Sequence, residues 1–181
     1  MRKLTLIAIA TVMFAMVSSM AVAQAGNTAS GTLTVTATVN SSINLVFNSD
    51  AAGVALSSGA GTNAATLAFG NVSAFGAIAA GITRTVVAGT SFTVSTPVDV
   101  LVTKSNSTSA NYTLKAQLGA ADATNTWGVA GNTVTSASAA TITATGTYGS
   151  NAAEAVAITI PFTTASGSVI SNTINFTATS N

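Results

Sequence analysis

The chain of 181 residues contains no cysteine and no histidine, and charged residues make up only 5% of it. Without these two residue types a protein has no thiolate nucleophile, no imidazole base and neither of the best ligands for transition metals. No disulfide framework can form either, so stability has to come from burial and strand pairing. The composition therefore argues against an enzyme, a metal site and a disulfide-stapled scaffold.

Positive charge is scarce as well. The chain has 5 basic and 4 acidic residues, and Arg2 and Lys3 belong to a predicted export signal, which leaves Arg84, Lys104 and Lys115 isolated from one another. A nucleic-acid surface needs clustered Lys and Arg, so nucleic acid is excluded as a partner. A nearly neutral surface favours association with other proteins.

Residues 1–25 have the pattern of a signal peptide. A basic start is followed by an apolar stretch from Leu4 to Val17 and by small residues that offer cleavage after Ala23 or after Ala25. The apolar stretch is shorter than the ~20 residues of a membrane anchor. We therefore expect the chain to be exported and released.

Apolar and polar residues alternate along most of the remaining chain, as is typical of β-strands. The clearest predicted hairpin joins 92–102 to 112–118 through a loop at 105–109, and Pro97 indicates an edge position or a bulge in its first limb. Short strands at this spacing predict one all-β sandwich or barrel over residues 41–181. The predicted strands are 32–39, 43–47, 54–56, 66–72, 82–88, 92–102, 112–118, 126–129, 141–148, 155–162 and 169–180.

The most informative segment is the arm that follows the signal, residues 26–40. As one strand, residues 33–47 would span about 50 Å, far more than an ordinary strand, so the run must break where turn residues permit it. The arm either closes its own sheet or is added to the sheet of a neighbouring molecule. Its inward face is predicted to consist of Leu33, Val35, Ala37 and Val39, and its hinge of Asn40, Ser41 and Ser42.

Few residues are candidates for chemistry. The carboxylates of Asp50, Asp99, Asp122 and Glu154 lie far apart in the sequence and are predicted to be solvated charges, not a catalytic pair or a calcium site. Trp127 is predicted to belong to the core, although an exposed indole could bind sugar. We therefore predict no catalytic, cofactor-binding or metal-binding residue.

Two segments resemble known families. Thr34-Val35-Thr36-Ala37-Thr38-Val39 and the later Ile43-Asn44-Leu45 resemble the mature N-terminus of alpha-class chaperone–usher fimbrial major subunits, the colonisation-factor type. This chain has Asn40 and Ser41 where that family has an acidic residue and proline, and Asn44 where it has a later acidic residue. The segment LAFGNV, residues 67–72, is similar to a recurrent strand of spore coat protein U-like secreted domains.

The resemblance implies an immunoglobulin-like, pilin-type β-sandwich with an N-terminal donor strand. Such a subunit is held by a periplasmic chaperone, passed to an outer-membrane usher and completed by the arm of the next subunit. The expected product is a homopolymeric fimbria on the surface of a Gram-negative bacterium, with no cofactor and with a host or surface receptor left open. The alternative is a monomeric secreted β-sandwich adhesin or binding module whose first strand pairs within its own domain.

Overall fold

A computed structural model describes residues 29–181 of the chain, so the predicted signal peptide and residues 26–28 of the predicted arm lie outside the described range. The described residues form strands and no helix, and thus contain no helix that could cross a membrane. The chain divides into two units after Thr38. The strands of the second unit are β1 (Ser42–Ser49), β2 (Thr83–Val87), β3 (Ser91–Ser105), β4 (Asn111–Leu118), β5 (Thr126–Val129), β6 (Asn132–Val134), β7 (Ala140–Thr147), β8 (Asn151–Pro161) and β9 (Ile174–Ser180).

The strands form two antiparallel sheets, which confirms the all-β prediction. The first sheet has the order β1-β3-β8-β5-β6, and β2 also pairs with β3. The second has the order β7-β4-β9. Strand β3, with 15 residues, organises the first sheet, because β2 pairs with its first third, β1 with its second half and β8 with most of its other side.

The core lies between the two sheets and is made by the alternation that the sequence shows. In β3, Phe92, Val94, Val98, Val100 and Val102 are all buried, while most residues between them are half-buried. They meet inward-facing residues of β4 and β8, and the result is two clusters. The first contains Phe92, Val94, Ala116, Leu118, Trp127 and Ile158 among others, and the second consists of Val100, Val102, Tyr112 and Leu114.

The predicted hairpin between 92–102 and 112–118 is wrong. Strands β3 and β4 belong to different sheets, so the loop between them passes from one sheet to the other instead of turning back within one sheet. Both strands nevertheless bury their apolar side chains in the same core. Two facing strands therefore show the same alternation as two paired strands, and the pattern alone does not separate them.

The predicted strands at 54–56 and 66–72 are also wrong. Apart from isolated bridges, both segments are part of a long irregular connection between β1 and β2. Val54, Phe69 and Val72 pack against the first core cluster from this connection, and the backbone N–H of Val54 donates to Thr96 Oγ1 at 2.8 Å. Single apolar side chains of this irregular connection pack against the core at intervals. Their spacing in the sequence resembles the alternation of a strand. Residues 169–173 likewise precede the final strand, which begins only at Ile174.

Pro97 lies inside the long strand β3, at a break between that strand's neighbours. The pairing with β2 ends at Ser95 and the pairing with β1 begins at Val98, so neither strand lies beside Pro97 on that side. On the other side Pro97 is paired with Ala155 of β8. Because proline has no N–H to donate, it fits a position where one neighbouring strand is missing.

Candidate assembly interface

Strand β9 lies at an open edge of the second sheet. It pairs with β4 from Ile174 to Ser180 without a register shift, and no other strand of the described range pairs with its outer side. An edge strand presents free N–H and C=O groups, and natural edges are usually protected by Lys, Pro or a bulge. The sequence of β9, INFTATS, contains no charged residue and no proline. The edge is thus open to the addition of a further strand.

Strand β1 has a largely free edge too. Its outer side meets the following connection at Phe47, whose N–H donates to Thr62 O at 2.8 Å and whose C=O accepts from Gly61 N at 2.7 Å. Residues 42–46 have no strand partner on that side among the residues described. Two unpaired edges therefore border the same open side of the sandwich, because β1 and β9 approach each other there.

Half-buried apolar side chains lie between these two edges. The rings of Phe47 and Phe176 meet edge to face, with centroids 5.3 Å apart and an interplanar angle of 69°. Leu45 and Ala178 are also half-buried and pack against the second core cluster. We call this surface, formed by Leu45, Phe47, Phe176 and Ala178, the β1–β9 groove. Its side chains reach the core but remain partly open to water.

The predicted donor residues lie in the arm, outside both sheets. Residues 29–41 form no strand, and the side chains of Leu33, Val35 and Val39 are 88%, 80% and 72% exposed. Ala37 is exposed as well. In the described arm, four alternating apolar residues thus lie in water, which is unfavourable unless a partner covers them.

The predicted hinge residues lie where the first sheet begins. Asn40 and Ser41 are exposed and belong to no strand, whereas Ser42 is the first residue of β1 and is paired with Ser105. The first residue of the sandwich is therefore the last residue of the predicted hinge.

The prediction that Glu154 is a solvated charge is wrong. Its side chain is only 6% exposed, and the one hydrogen bond that its carboxylate accepts from the described residues comes from Thr143 Oγ1 at 3.3 Å. Burial raises the pKa of Glu154, and the bond from Thr143 offsets part of that effect. Glu154 lies two residues before Val156 on the inward face of β8. In a strand, residues two apart share a face, so this placement could be read from the sequence.

Asp122 is not a free charge either. Its carboxylate accepts hydrogen bonds from the backbone N–H groups of Thr124 and Asn125, both at 2.9 Å, from Asn125 Nδ2 at 3.0 Å and from Trp127 Nε1 at 2.8 Å. Burial alone would raise the pKa of Asp122, but these bonds hold it well below its usual range. They also fix the Trp127 indole, which is 6% exposed and belongs to the core as predicted. Asp122 therefore has a structural role.

Asp50 and Asp99 lie near each other, although the sequence suggested that Asp50 stands alone. Burial, and then the neighbouring charge of Asp50, raise the pKa of Asp99, while a hydrogen bond from Asn151 Nδ2 at 3.0 Å opposes the rise. No group of three or more metal-ligating side chains occurs within residues 29–181. The cleft beside Asp122 and Trp127 measures about 210 Å³, less than the usual volume of a small-molecule site.

Comparison with known proteins identified no relative of this chain. No protein-family model, no curated protein and no solved structure matches this chain. The geometry of the chain itself is therefore the basis for a functional proposal.

The strand predicted over residues 32–39 is wrong for the described chain, because these residues form no strand there, and sequence reasoning did not find the groove. The alternation of Leu45 and Phe47 and of Phe176 and Ala178 was visible. What was not visible is that their strands border the same open side, because this depends on packing between β1 and β9, which lie in different sheets and more than 100 positions apart in the chain.

Proposed function

We propose that the chain is a structural subunit of an extracellular fimbria and polymerises by donor-strand complementation. The sandwich is then an immunoglobulin-like, pilin-type domain that lacks one strand. The arm of one subunit, residues 26–40, occupies the β1–β9 groove of the next. The observation that carries this proposal is the outer edge of β9, which is unpaired, uncharged and adjacent to half-exposed apolar side chains.

The arm and the open edge match in length. Strand β9 has 7 residues, and so does the segment from Leu33 to Val39. At about 3.3 Å per residue, each covers about 23 Å. A strand added at this edge would direct alternate side chains into the groove, as β-augmentation requires. The four apolar residues would enter it and the intervening threonines would face outward.

The energetics favour such an exchange. Full burial of a side chain the size of Val or Leu contributes about 1.5–3 kcal/mol, and three of the four donor residues are of that size. Backbone hydrogen bonds to the free edge of β9 add to this contribution. Before assembly the same edge invites wrong pairing. A periplasmic chaperone and an outer-membrane usher are therefore the partners expected during export.

The decisive test places a charge on the inward face of the arm. In Val35→Asp subunits the carboxylate would have to be buried in the groove without a partner, which costs several kcal/mol. We expect no filaments by negative-stain electron microscopy and no heat-resistant ladders on a gel. Thr34→Lys is the matched control, because it places a charge on the opposite face of the same strand, and it should assemble nearly as well as wild type.

Two results would contradict the proposal. One is normal filament assembly by Val35→Asp subunits. The other is wild-type protein that stays monomeric at every concentration after removal of the chaperone, which would favour the monomeric adhesin.

A further inference from the structure

The two ends of the sandwich can be told apart from the strand register. At one end, Ser91 of β3 is paired with Val87 of β2 and with Pro161 of β8. At the other end, Ser105 of β3 is paired with Ser42 of β1. We call these the Pro161 end and the Ser42 end. The connection from β8 to β9, residues 162–173, starts at the Pro161 end.

Large exposed apolar side chains lie at the Pro161 end and in the connection that starts there. Val87 ends β2 and is 54% exposed, Phe162 follows β8 and is 36% exposed, and Val169 lies in the next connection and is 93% exposed. Phe75 is 72% exposed, and its ring centroid is 6.1 Å from that of Phe162. We call these four residues the apolar end surface. Exposed apolar side chains that contact each other, as Phe75 and Phe162 do, commonly mark an interaction site.

Phe75 is held in its exposed position by an ordered loop. The Arg84 guanidinium donates to Ser73 O and to Gly76 O, both at 2.8 Å, and Ser73 Oγ donates to Phe75 O at 2.7 Å. From Phe75 the aromatic contact continues through Phe162 to the buried Phe92, whose centroid is 6.4 Å from that of Phe162. The aromatic contacts therefore run from a buried core residue, Phe92, to a solvent-exposed ring, Phe75.

The Ser42 end has the opposite character. Its loops are rich in Ser, Thr and Asn, as in residues 105–111, and no large apolar side chain of residues 40–74 or 88–161 is strongly exposed. This end also carries the arm, because Ser42 directly follows the hinge. The described domain is thus polar at the end that bears the arm and apolar at the other.

We propose that the apolar end surface is the docking site for the Ser42 end of another copy of this chain. The inference rests on the proposed function and specifies how successive domains meet. Val39 is only three residues from Ser42, so a donor domain must lie within about 10 Å of the end of the groove that its arm enters last. If Val39 lies beside Ile174, the donor domain rests on the Pro161 end and covers the apolar end surface. The reverse arm direction would leave that surface in water.

Such a contact joins two different surfaces, so it is heterologous. A heterologous contact that does not close into a ring generates an open chain of copies. The apolar end surface would then stabilise each junction in addition to the donor strand. It would also limit bending between neighbouring domains.

Cross-linking tests which ends meet. The chain contains no cysteine, so two can be introduced without background. We would combine Thr108→Cys, in an exposed loop at the Ser42 end, with Val169→Cys, and treat assembled polymer with a short bismaleimide. Samples are then fully unfolded in guanidinium chloride, which separates subunits held only by non-covalent strand pairing, and a denaturing gel should still show a ladder of covalent multimers. The control pair, Thr133→Cys with Val169→Cys, places one thiol on exposed β6 and should give no ladder.

The outcomes separate the two proposals. No ladder from the Thr108 and Val169 pair in intact filaments would overturn the docking site alone, as would dimers formed by Thr108→Cys by itself. No polymer from wild-type protein would overturn both the docking site and the fimbrial function.

A second measurement is the strength of assembly. Phe75→Lys and Val169→Lys each place a charge on the apolar end surface, and neither side chain is buried in the subunit, so the melting temperature of the unassembled subunit should not change. We expect assembly to need about tenfold more protein, which corresponds to about 1.4 kcal/mol per junction. Thr133→Lys adds the same charge elsewhere and should assemble as wild type does. Equal assembly by all three variants would contradict the docking site.

Discussion

The carboxylates of Asp122 and Glu154 lie in opposite environments. Asp122 is surrounded by donors, including the Trp127 indole, and its pKa is lowered. Glu154 is buried between the sheets with a single hydroxyl donor, and its pKa is raised. Folding therefore favours the ionised form of Asp122 and the protonated form of Glu154. The two residues make opposite contributions to the pH dependence of stability.

Glu154→Gln should stabilise the domain at neutral pH. Because the pKa of Glu154 is higher in the folded state than its ordinary value of 4.5, the favourable contribution of its proton is complete below that value. It is lost as the pH rises through the folded-state pKa. The amide keeps the shape of the side chain without the charge, so we expect the free energy of unfolding at pH 8 to rise by about 1–3 kcal/mol. Urea unfolding of the variant and the wild type at pH 4 and pH 8 measures it.

The difference in free energy of unfolding between Glu154→Gln and wild type reports on Glu154 alone, because the other titrating groups are the same in both proteins. This difference should be small at pH 4 and grow with pH. Asp99→Asn serves as the control, since Asp99 is half-exposed and should show a weaker change. A Glu154→Gln variant that is no more stable than wild type at pH 8 would contradict the assignment of a buried, poorly paired carboxylate.

At the level of strands, the sequence predicts where extended segments lie better than how they pair. The prediction for 126–129 coincides with β5, and those for 82–88 and 141–148 differ from β2 and β7 by one residue at each end. In β5 the alternation reflects one buried face, with Trp127 and Val129 inside, whereas β2 has no buried residue. The same alternation does not reveal which strand lies alongside, so β3 and β4 were predicted as a hairpin although they lie in different sheets.

For the candidate site, too, the sequence shows local patterns but not which strands lie side by side. The arm could be predicted from Leu33, Val35, Ala37 and Val39, because their pattern is local. The groove could not, because it requires β9 to be an edge and β1 to lie across from it. The prediction of a solvated charge is wrong for Glu154, which lies on the same inward face of β8 as Val156, two residues later. An acidic side chain is more often found in water, but the position of Glu154 in an apolar stripe buries it.

Gly146 of β7 is paired with Tyr112 of β4, and the Tyr112 ring occupies the space that a side chain at position 146 would need. A Cβ at this position would lie 2.2 Å from Cζ of Tyr112, whose ring is 1% exposed and has no room to move. We expect Gly146→Ala to lower the free energy of unfolding by about 1–3 kcal/mol through overpacking. Gly128→Ala is the control, because a Cβ there would meet its nearest atom, Asn132 O, at 3.5 Å. Thermal unfolding of both variants measures the difference, and equal melting temperatures would contradict it.

As a whole, the chain has few of the features that keep a β-protein monomeric. Its charged fraction is 5%, and its edge strand β9 carries no charge. Apolar side chains are exposed in the arm and at the Pro161 end, and half-buried in the groove. A monomer built this way is prone to association. In a filament the same three surfaces would be covered, the groove by an arm, the arm by a groove and the apolar end by the next domain.

A free arm peptide should therefore stabilise a subunit whose own arm cannot be donated. We would add a peptide of residues 28–40 to full-length Val35→Asp protein, which should stay unassembled with its groove open. A ligand that binds only the folded state at about 100 times its Kd adds about 2.7 kcal/mol of stability. For a domain of this size that corresponds to a rise in melting temperature of about 5–10 °C. The control peptide carries the Val35→Asp change itself and should have no effect. In a complete monomeric sandwich the groove would offer no vacant strand position, so equal melting temperatures with both peptides would contradict donor-strand complementation.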